Sequence, residues 1–320
     1  MTSNLRDKLM LKPVLSALMI SAALSSPLHA AEKLTLMLDW YINPDHAPIM
    51  VAQQTDAFKA EGLEVTIVPP SDPSLPPRLV AAKQADLAIT YQPQLHFYAD
   101  QGLPLMRVGT LINTPLNTLI TLDNAVKKPA DLKGKQIGYS VSGIEQATLD
   151  TMLQHDGVKS SEVQLINVNF QLTSALLTGK VDAVIGGYRN IEALELRLQG
   201  KQPVVFNVED YGVPAYDELI IVANRDEARS EKIKKFMRAL KRGVAELKAH
   251  PEASWQAFAN AYPELNTPLN HQAWRASLPL FADDPVKLDR ARYQAYEQFL
   301  YDNHLIKQIT PVDYYAIGSD

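Results

Sequence analysis

Short alternating apolar stretches take turns with helical ones along this chain, in two successive series, and this pattern constrains the fold more than any other feature. Leu34, Leu36 and Leu38 alternate with Thr35 and Met37 and predict a first strand. Pro44-Asp45-His46-Ala47-Pro48 opens a helix that carries Pro48 in its first turn, runs to Ala60 and stops at Gly62. Leu63, Val65 and Ile67 alternate as a second strand, and prolines 69, 70, 73, 76 and 77 form a loop into a short helix near Leu79 to Lys83. Asp86 to Thr90 and Leu105 to Leu111 read as two more strands. Strands that alternate with helices imply a parallel sheet with helical crossovers.

The second series begins at Leu116 to Leu122. Ile137 to Ser140 is a strand, Ile144 to His155 a helix, Val163 to Val168 a strand, and Leu172 to Leu177 a helix. Val181 to Ile185 is a strand, Ile191 to Leu198 a helix, and Val204 to Asn207 a short last strand. Glu218 to Ala223 resembles Leu116 to Leu122 in length and character, so these two strands are read as the crossings between two lobes. Beyond them the chain is mostly helical, with Glu231 to His250 the longest element; its many basic residues read as the solvated face of an amphipathic helix. The expectation is an α/β protein with one discontinuous lobe (residues 31–115 plus 224–320), a second lobe (116–223) and a ligand cleft between them. The length of 320 residues suits about two domains. Domain interfaces and the carboxyl ends of parallel strands are where small ligands bind.

Residues 1–30 read as a secretory signal peptide. Arg6, Lys8 and Lys12 give a basic start, Val14 to Leu24 is apolar, and Pro27-Leu28-His29-Ala30 ends on a small residue. The apolar run falls short of the about 20 residues a bilayer span needs. The chain has no cysteine, so neither lipid attachment after the leader nor a disulfide or a Cys-ligated metal is expected. Removal of the leader would take the net charge from −5 to −7, which argues against nucleic acid as a partner. The periplasm of a Gram-negative cell is the expected location.

Motifs of catalysis and metal binding fail on inspection. The histidines stand at 29, 46, 96, 155, 250, 271 and 304, with no pair at i, i+3 or i+4 for zinc. Lys133-Gly134-Lys135-Gln136 lacks the first Gly and the Ser/Thr of a phosphate loop. Gly138-Tyr139-Ser140-Val141-Ser142 has Ser142 where the tight turn of a nucleophile elbow needs glycine.

Other stretches carry a resemblance. Leu38-Asp39-Trp40, followed by Asn43-Pro44 and His46, is the most specific; Ala130-Asp131-Leu132-Lys133-Gly134-Lys135-Gln136-Ile137-Gly138 and Leu177-Thr178-Gly179-Lys180-Val181-Asp182-Ala183 accompany it. Together, across roughly 34–250, they resemble periplasmic substrate-binding proteins of the thiamine-pyrimidine type, which are related to alkylsulfonate and nitrate binders. Formylaminopyrimidine-binding proteins and the eukaryotic thiamine pyrimidine synthase are similar by pattern. The resemblance implies the two-lobed type II periplasmic-binding fold, closure over an aminopyrimidine, and delivery to the permease and ATPase subunits of an ABC importer. A monomer without cofactor is expected. A sulfonate, nitrate or other small anion is the alternative ligand, although Asp39 and Glu192 suit an anion poorly. A synthase is the other alternative. Its chemistry needs a lysine amine for pyridoxal phosphate, a substrate histidine and a Cys-rich loop. Here Thr90 and Gln94 stand in the first two positions, and 211–216 has no cysteine.

The candidate ligand-binding residues follow the strand ends. Trp40 lies just past the first strand, where an indole face stacks on a flat ring. Asp39, Asn43 and His46 could edge that ring, with turn chemistry the other reading for Asn43 and a capping or core role for His46. Tyr91 is a second wall or a packing residue. Ser140, Ser142 and Gly143 bridge a strand and a helix start, where N–H groups and hydroxyls hold a polar group, unless Ser142 is simply the N-cap. After Gly186 and Gly187 come Tyr188, Asn190 and Glu192. Tyr188 could stack, and Glu192 either accepts from an exocyclic amine or complements the first helical turn. Tyr216 and Glu218 stand at the return crossing, lining the cleft or pinning the hinge.

Overall fold

The computed structural model describes residues 30–319; the leader expected over 1–30 lies, apart from Ala30, outside the described residues. The described residues form ten strands: β1 (Glu32–Met37), β2 (Leu63–Val68), β3 (Leu87–Thr90), β4 (Leu105–Ile112), β5 (Asn117–Thr121), β6 (Gln136–Tyr139), β7 (Gln164–Asn167), β8 (Ala183–Tyr188), β9 (Val204–Asn207) and β10 (Leu219–Asn224). They form two five-stranded sheets, ordered β2-β1-β3-β10-β4 and β7-β6-β8-β5-β9. In each, four strands run in one direction and one, the fourth in order, is antiparallel to both of its neighbours. The sheets are therefore mixed, not purely parallel, and share one plan.

That plan corrects the reading of the two matched strands. β5 lies inside the second sheet and β10 inside the first, so the chain passes between sheets in the segments before them, 113–116 and 208–218. Two adjacent carboxylates secure these passages. Glu218 accepts the backbone N–H groups of Leu116 at 2.6 Å and Asn117 at 3.0 Å. Asp217 accepts from the Thr110 hydroxyl at 2.7 Å and from Arg292 at 2.6 Å, while its own N–H donates to the Gln92 side chain at 2.8 Å. Both side chains are buried, so these bonds satisfy polar groups that water does not reach.

Both faces of each sheet are covered, as parallel strands require. Leu36, Ile49, Ile89, Phe236 and Trp274 belong to the core on one side of the first sheet, with Ala88, Leu95, Ile220 and Tyr315 on the other. Leu119, Ile137 and Met152 pack on one side of the second sheet and Ile120, Val184 and Leu196 on the other. Tyr296 and Leu300, from the helix Arg290–Asp302, join the second sheet's core although they follow the return crossing. The helix Glu231–Ala249 is capped by Ser230 and buries Ile233, Phe236, Met237, Leu240, Val244 and Leu247 at helical spacing. Its outward basic residues pair with acids, Arg238 and Arg242 with Glu61 and Lys241 with Asp284.

Two helices depart from expectation. The single helix expected to reach Ala60 is a 3-10 turn (Pro44–His46), a helix (Ala47–Gln54) and a short helix (Ala57–Ala60). Asp56 adopts a left-handed φ of 55° between the last two, and Thr55 turns its hydroxyl onto the Val51 carbonyl, drawing on the acceptors a continuing helix would use. The helix Gln92–Asp100 has no counterpart in the sequence reading. It is buried on nearly every side, so it shows no apolar stripe.

Candidate functional site

A cavity of about 180 Å³ opens where the strand ends of the two sheets meet. Asp39 and Trp40 follow β1 and Tyr91 follows β3; Val141 follows β6, and Gly186 and Tyr188 end β8. Asn117 and Glu218 stand at the starts of β5 and β10. An antiparallel strand brings its first residues to the edge where its parallel neighbours end, so the crossings feed the same rim as the carboxyl ends. A cavity of about 150 Å³ suffices for benzene, so this one suits a single substituted ring.

The first half of the wall is tied together by Asp39. Its carboxylate accepts from the Tyr91 hydroxyl at 3.0 Å and lies 2.9 Å from His46 Nε2. The Asn43 N–H points at His46 Nδ1 over 3.3 Å, which leaves the proton on Nε2, facing Asp39. Asn43 also caps the 3-10 turn through Oδ1, which accepts the Asp45 N–H at 2.8 Å. Turn chemistry and cavity lining thus coincide at Asn43, and a buried position coincides with lining at His46. Phe170, in the loop before the helix Leu172–Leu177, meets Trp40 edge-on at 4.7 Å between ring centres and Tyr41 at 4.6 Å.

The other half is rich in carboxyls. Glu192 opens its helix and accepts the Tyr188 N–H at 2.7 Å, so it serves the helix start while lining the cavity. Glu218 accepts from the Tyr216 hydroxyl at 3.0 Å and the Tyr188 hydroxyl at 3.3 Å, so it both lines the cavity and pins the crossing. Burial pushes Glu192 and Glu218 up to about 7, against the pull of those hydrogen bonds. Asp45 is pushed up to about 6 by burial, with Ser277 holding it down, and Glu145 up to about 8 by burial, with the Ser140 and Val141 amides opposing. Among the lining residues stand five carboxyls, Asp39, Asp45, Glu145, Glu192 and Glu218, and neither lysine nor arginine.

Four expected residues lie off the cavity wall. The Ser140 hydroxyl is turned onto the Asn169 carbonyl, and its N–H donates to Glu145 at 2.6 Å. Ser142 is exposed and is not the helix cap; Gly143, at φ +88°, occupies that position and donates its N–H to the Gln146 side chain. Asn190 is buried, donating to Asp45 at 2.7 Å and to the Ser277 hydroxyl at 2.9 Å. Asp39, Trp40, Asn43, His46, Tyr91, Tyr188, Glu192, Tyr216 and Glu218 are brought together around the cavity.

The sequence reading missed Asp45, Asn117 and Glu145. Asp45 lay in view beside Asn43, and an acid in the first turn of a helix was the available signal for Glu145. Gly186 gains a reason: it holds φ +95°, and a Cβ there would collide with the Glu145 carboxylate. Thr90 and Gln94, the positions compared with a synthase, bond to each other at 2.7 Å, and Gln94 donates to the Tyr98 hydroxyl at 3.1 Å. Both are buried, and neither lines the cavity. Among the described residues no group of three His, Asp or Glu is placed to hold a metal ion, and no helix is long and apolar enough to cross a membrane.

Comparison with known proteins gives this geometry a family. A protein of Haemophilus influenzae called a putative thiamine biosynthesis protein is 50% identical over 92% of this chain and 94% of its own length. The formylaminopyrimidine-binding protein of Halalkalibacterium halodurans is 34% identical over 79% of this chain and 78% of its own. A 4-amino-5-hydroxymethyl-2-methylpyrimidine phosphate synthase of Legionella pneumophila is 28% identical over 81% and 83%. Among solved structures, the alkanesulfonate-binding protein of Xanthomonas axonopodis pv. citri, bound to MOPS, superposes with a TM-score of 0.70 at 18% identity, covering 90% of this chain and 99% of that one. The fold is the α/β periplasmic-binding-protein fold. The NMT1/THI5-like family matches residues 43–254, and the chain belongs to that family.

Proposed function

We propose that this protein is the periplasmic solute-binding component of an ABC importer for a thiamine pyrimidine precursor, and that it binds without catalysing. The observation that carries the reading is the cavity itself, which is ring-sized, walled by Trp40, Tyr91, Tyr188 and Tyr216, and edged by five carboxyls with no lysine or arginine. A carboxyl offers acceptor oxygens in either protonation state, and an aminopyrimidine offers an exocyclic amine to donate. The binding-protein relative at 34% identity supports the same ligand class. The two lobes, one built on the first sheet and including β10, the other on the second sheet from β5 to β9, close by hinge motion around the crossings at 113–116 and 208–218. The contacts of Phe170 with Trp40 and Tyr41, and of Asn190 with Asp45, join residues of the two lobes and belong to the closed form. The closed monomer then docks on the permease.

A sulfonate or nitrate would meet carboxyls where it needs cations. Pyrimidine synthesis would need an amine where Thr90 stands, inside a satisfied hydrogen-bond chain. A thermal-shift panel of formylaminopyrimidine, hydroxymethylpyrimidine, alkanesulfonates and nitrate tests the reading. A ligand at 100 times its Kd stabilises by about 2.7 kcal/mol. Shifts with the pyrimidines alone are expected; shifts with the anions alone would overturn the assignment.

A further inference from the structure

The turn after β6 has the makings of an anion cradle, with two successive backbone N–H groups, of Ser140 and Val141, just ahead of the twelve-residue helix Ile144–His155. Both are already taken. Glu145, in the first turn of that helix, folds its carboxyl back so that Oε2 accepts the Ser140 N–H at 2.6 Å, and the Val141 N–H bonds to it as well. The carboxyl is buried and lies on the cavity wall, and Gly186 leaves out the Cβ that would occupy its place. We propose that Glu145 is a built-in occupant of this cradle and decides the charge class of the ligand: unphosphorylated, neutral or cationic aminopyrimidines enter, and phosphate esters and sulfonates are turned away.

The inference rests on the pyrimidine reading for its ring, but not for its anion. A phosphate entering the cavity would find the Ser140 and Val141 amides satisfied and carboxyls on several sides. An anion deprived of its donors loses charge-assisted hydrogen bonds, and the lining carboxyls offer it further acceptor oxygens in their place. An amine or ring N–H meets acceptors at the same places. Burial raises Glu145, which makes its carboxyl readily protonated, so it fills the cradle without itself demanding a cation.

Isothermal titration of the leader-free protein with hydroxymethylpyrimidine, its monophosphate and inorganic phosphate tests the proposal. Wild type should bind the monophosphate about 100-fold more weakly than the alcohol, or not measurably. Glu145→Ala, which frees the two amides, should improve monophosphate affinity by about tenfold or more and make the protein respond to inorganic phosphate. Glu145→Gln keeps an acceptor oxygen and should hold the wild-type selectivity. If Glu145→Ala does not fold, Glu145→Ser is the variant to titrate. Equal affinity of wild type for alcohol and monophosphate would overturn the role of Glu145, as would an alanine or serine variant that gains nothing for either phosphate. Should no pyrimidine bind wild type, the function proposed above fails, and the inorganic phosphate arm still decides the role of Glu145.

Discussion

β1 and β6 occupy the same position in their respective sheets, and each ends at the cavity in a loop that leads into a helical turn. The two loops use that position in opposite ways. After β1 the side chains Asp39, Trp40, Asn43, Asp45 and His46 all line the cavity. After β6 most polar groups are taken up by the protein itself: Ser140 bonds to Asn169 and Glu145 and Gly143 to Gln146, while Ser142 faces solvent. One strand end displays its chemistry and the other consumes its own. A strand end therefore supplies an opportunity, and the next few residues decide whether a ligand or the protein takes it.

The sharpest way to break the contrast is Gly186→Ala. The new Cβ would sit at a φ of +95° and against the Glu145 carboxylate. Strain and overpacking together should cost about 2–4 kcal/mol of stability, visible as a lower urea midpoint, and pyrimidine binding should be lost with it. A midpoint equal to wild type would show that the second loop does not need its glutamate in place. Trp40→Ala attacks the displaying loop instead. Trp40 is only half-buried, so the fold should hold while affinity falls by about 30-fold or more in titration. Unchanged affinity would remove Trp40 from the ligand.

A pH series sharpens the comparison between the carboxyls. Asp45, Glu192, Glu218 and Glu145 rise to about 6, 7, 7 and 8 in the folded protein. The folded state thus keeps protons that the unfolded chain releases above the ordinary carboxyl range. This contribution to stability is fully present below about pH 4.5 and is lost as pH rises through about 8. Denaturant unfolding of the ligand-free protein should therefore show stability falling from mildly acidic to mildly alkaline pH, and a rise over that window would refute the protonated carboxyls. The smallest effect belongs to Ser142→Ala, which should stay within about 0.5 kcal/mol and leave binding alone. A loss near 1 kcal/mol would restore Ser142 as a helix cap.

The sequence was legible where local chemistry and final structure agree. The helices Ile144–His155 and Leu172–Leu177 and the strand Val204–Asn207 fall where periodicity places them. The first loop was legible because Asp39 and Trp40 directly follow a clear strand, and strand ends face the cleft. The helix Gln92–Asp100 was not, because burial on nearly all sides removes the amphipathic signal. In the second loop the serines and glycine promised a donor cradle, and only a folded chain shows Glu145 filling it.

Sequence alone determined the strand–helix alternation, its division into two series, and the aromatic and acidic residues at the strand ends, because each is set by neighbours a few positions away. Tertiary structure decided how the crossings enter the sheets, which carboxyls converge on one cavity, and which donors remain for a ligand. Those depend on contacts between residues far apart in the chain, such as Glu218 with Leu116 and Glu145 with Gly186, and on the burial that shifts their protons.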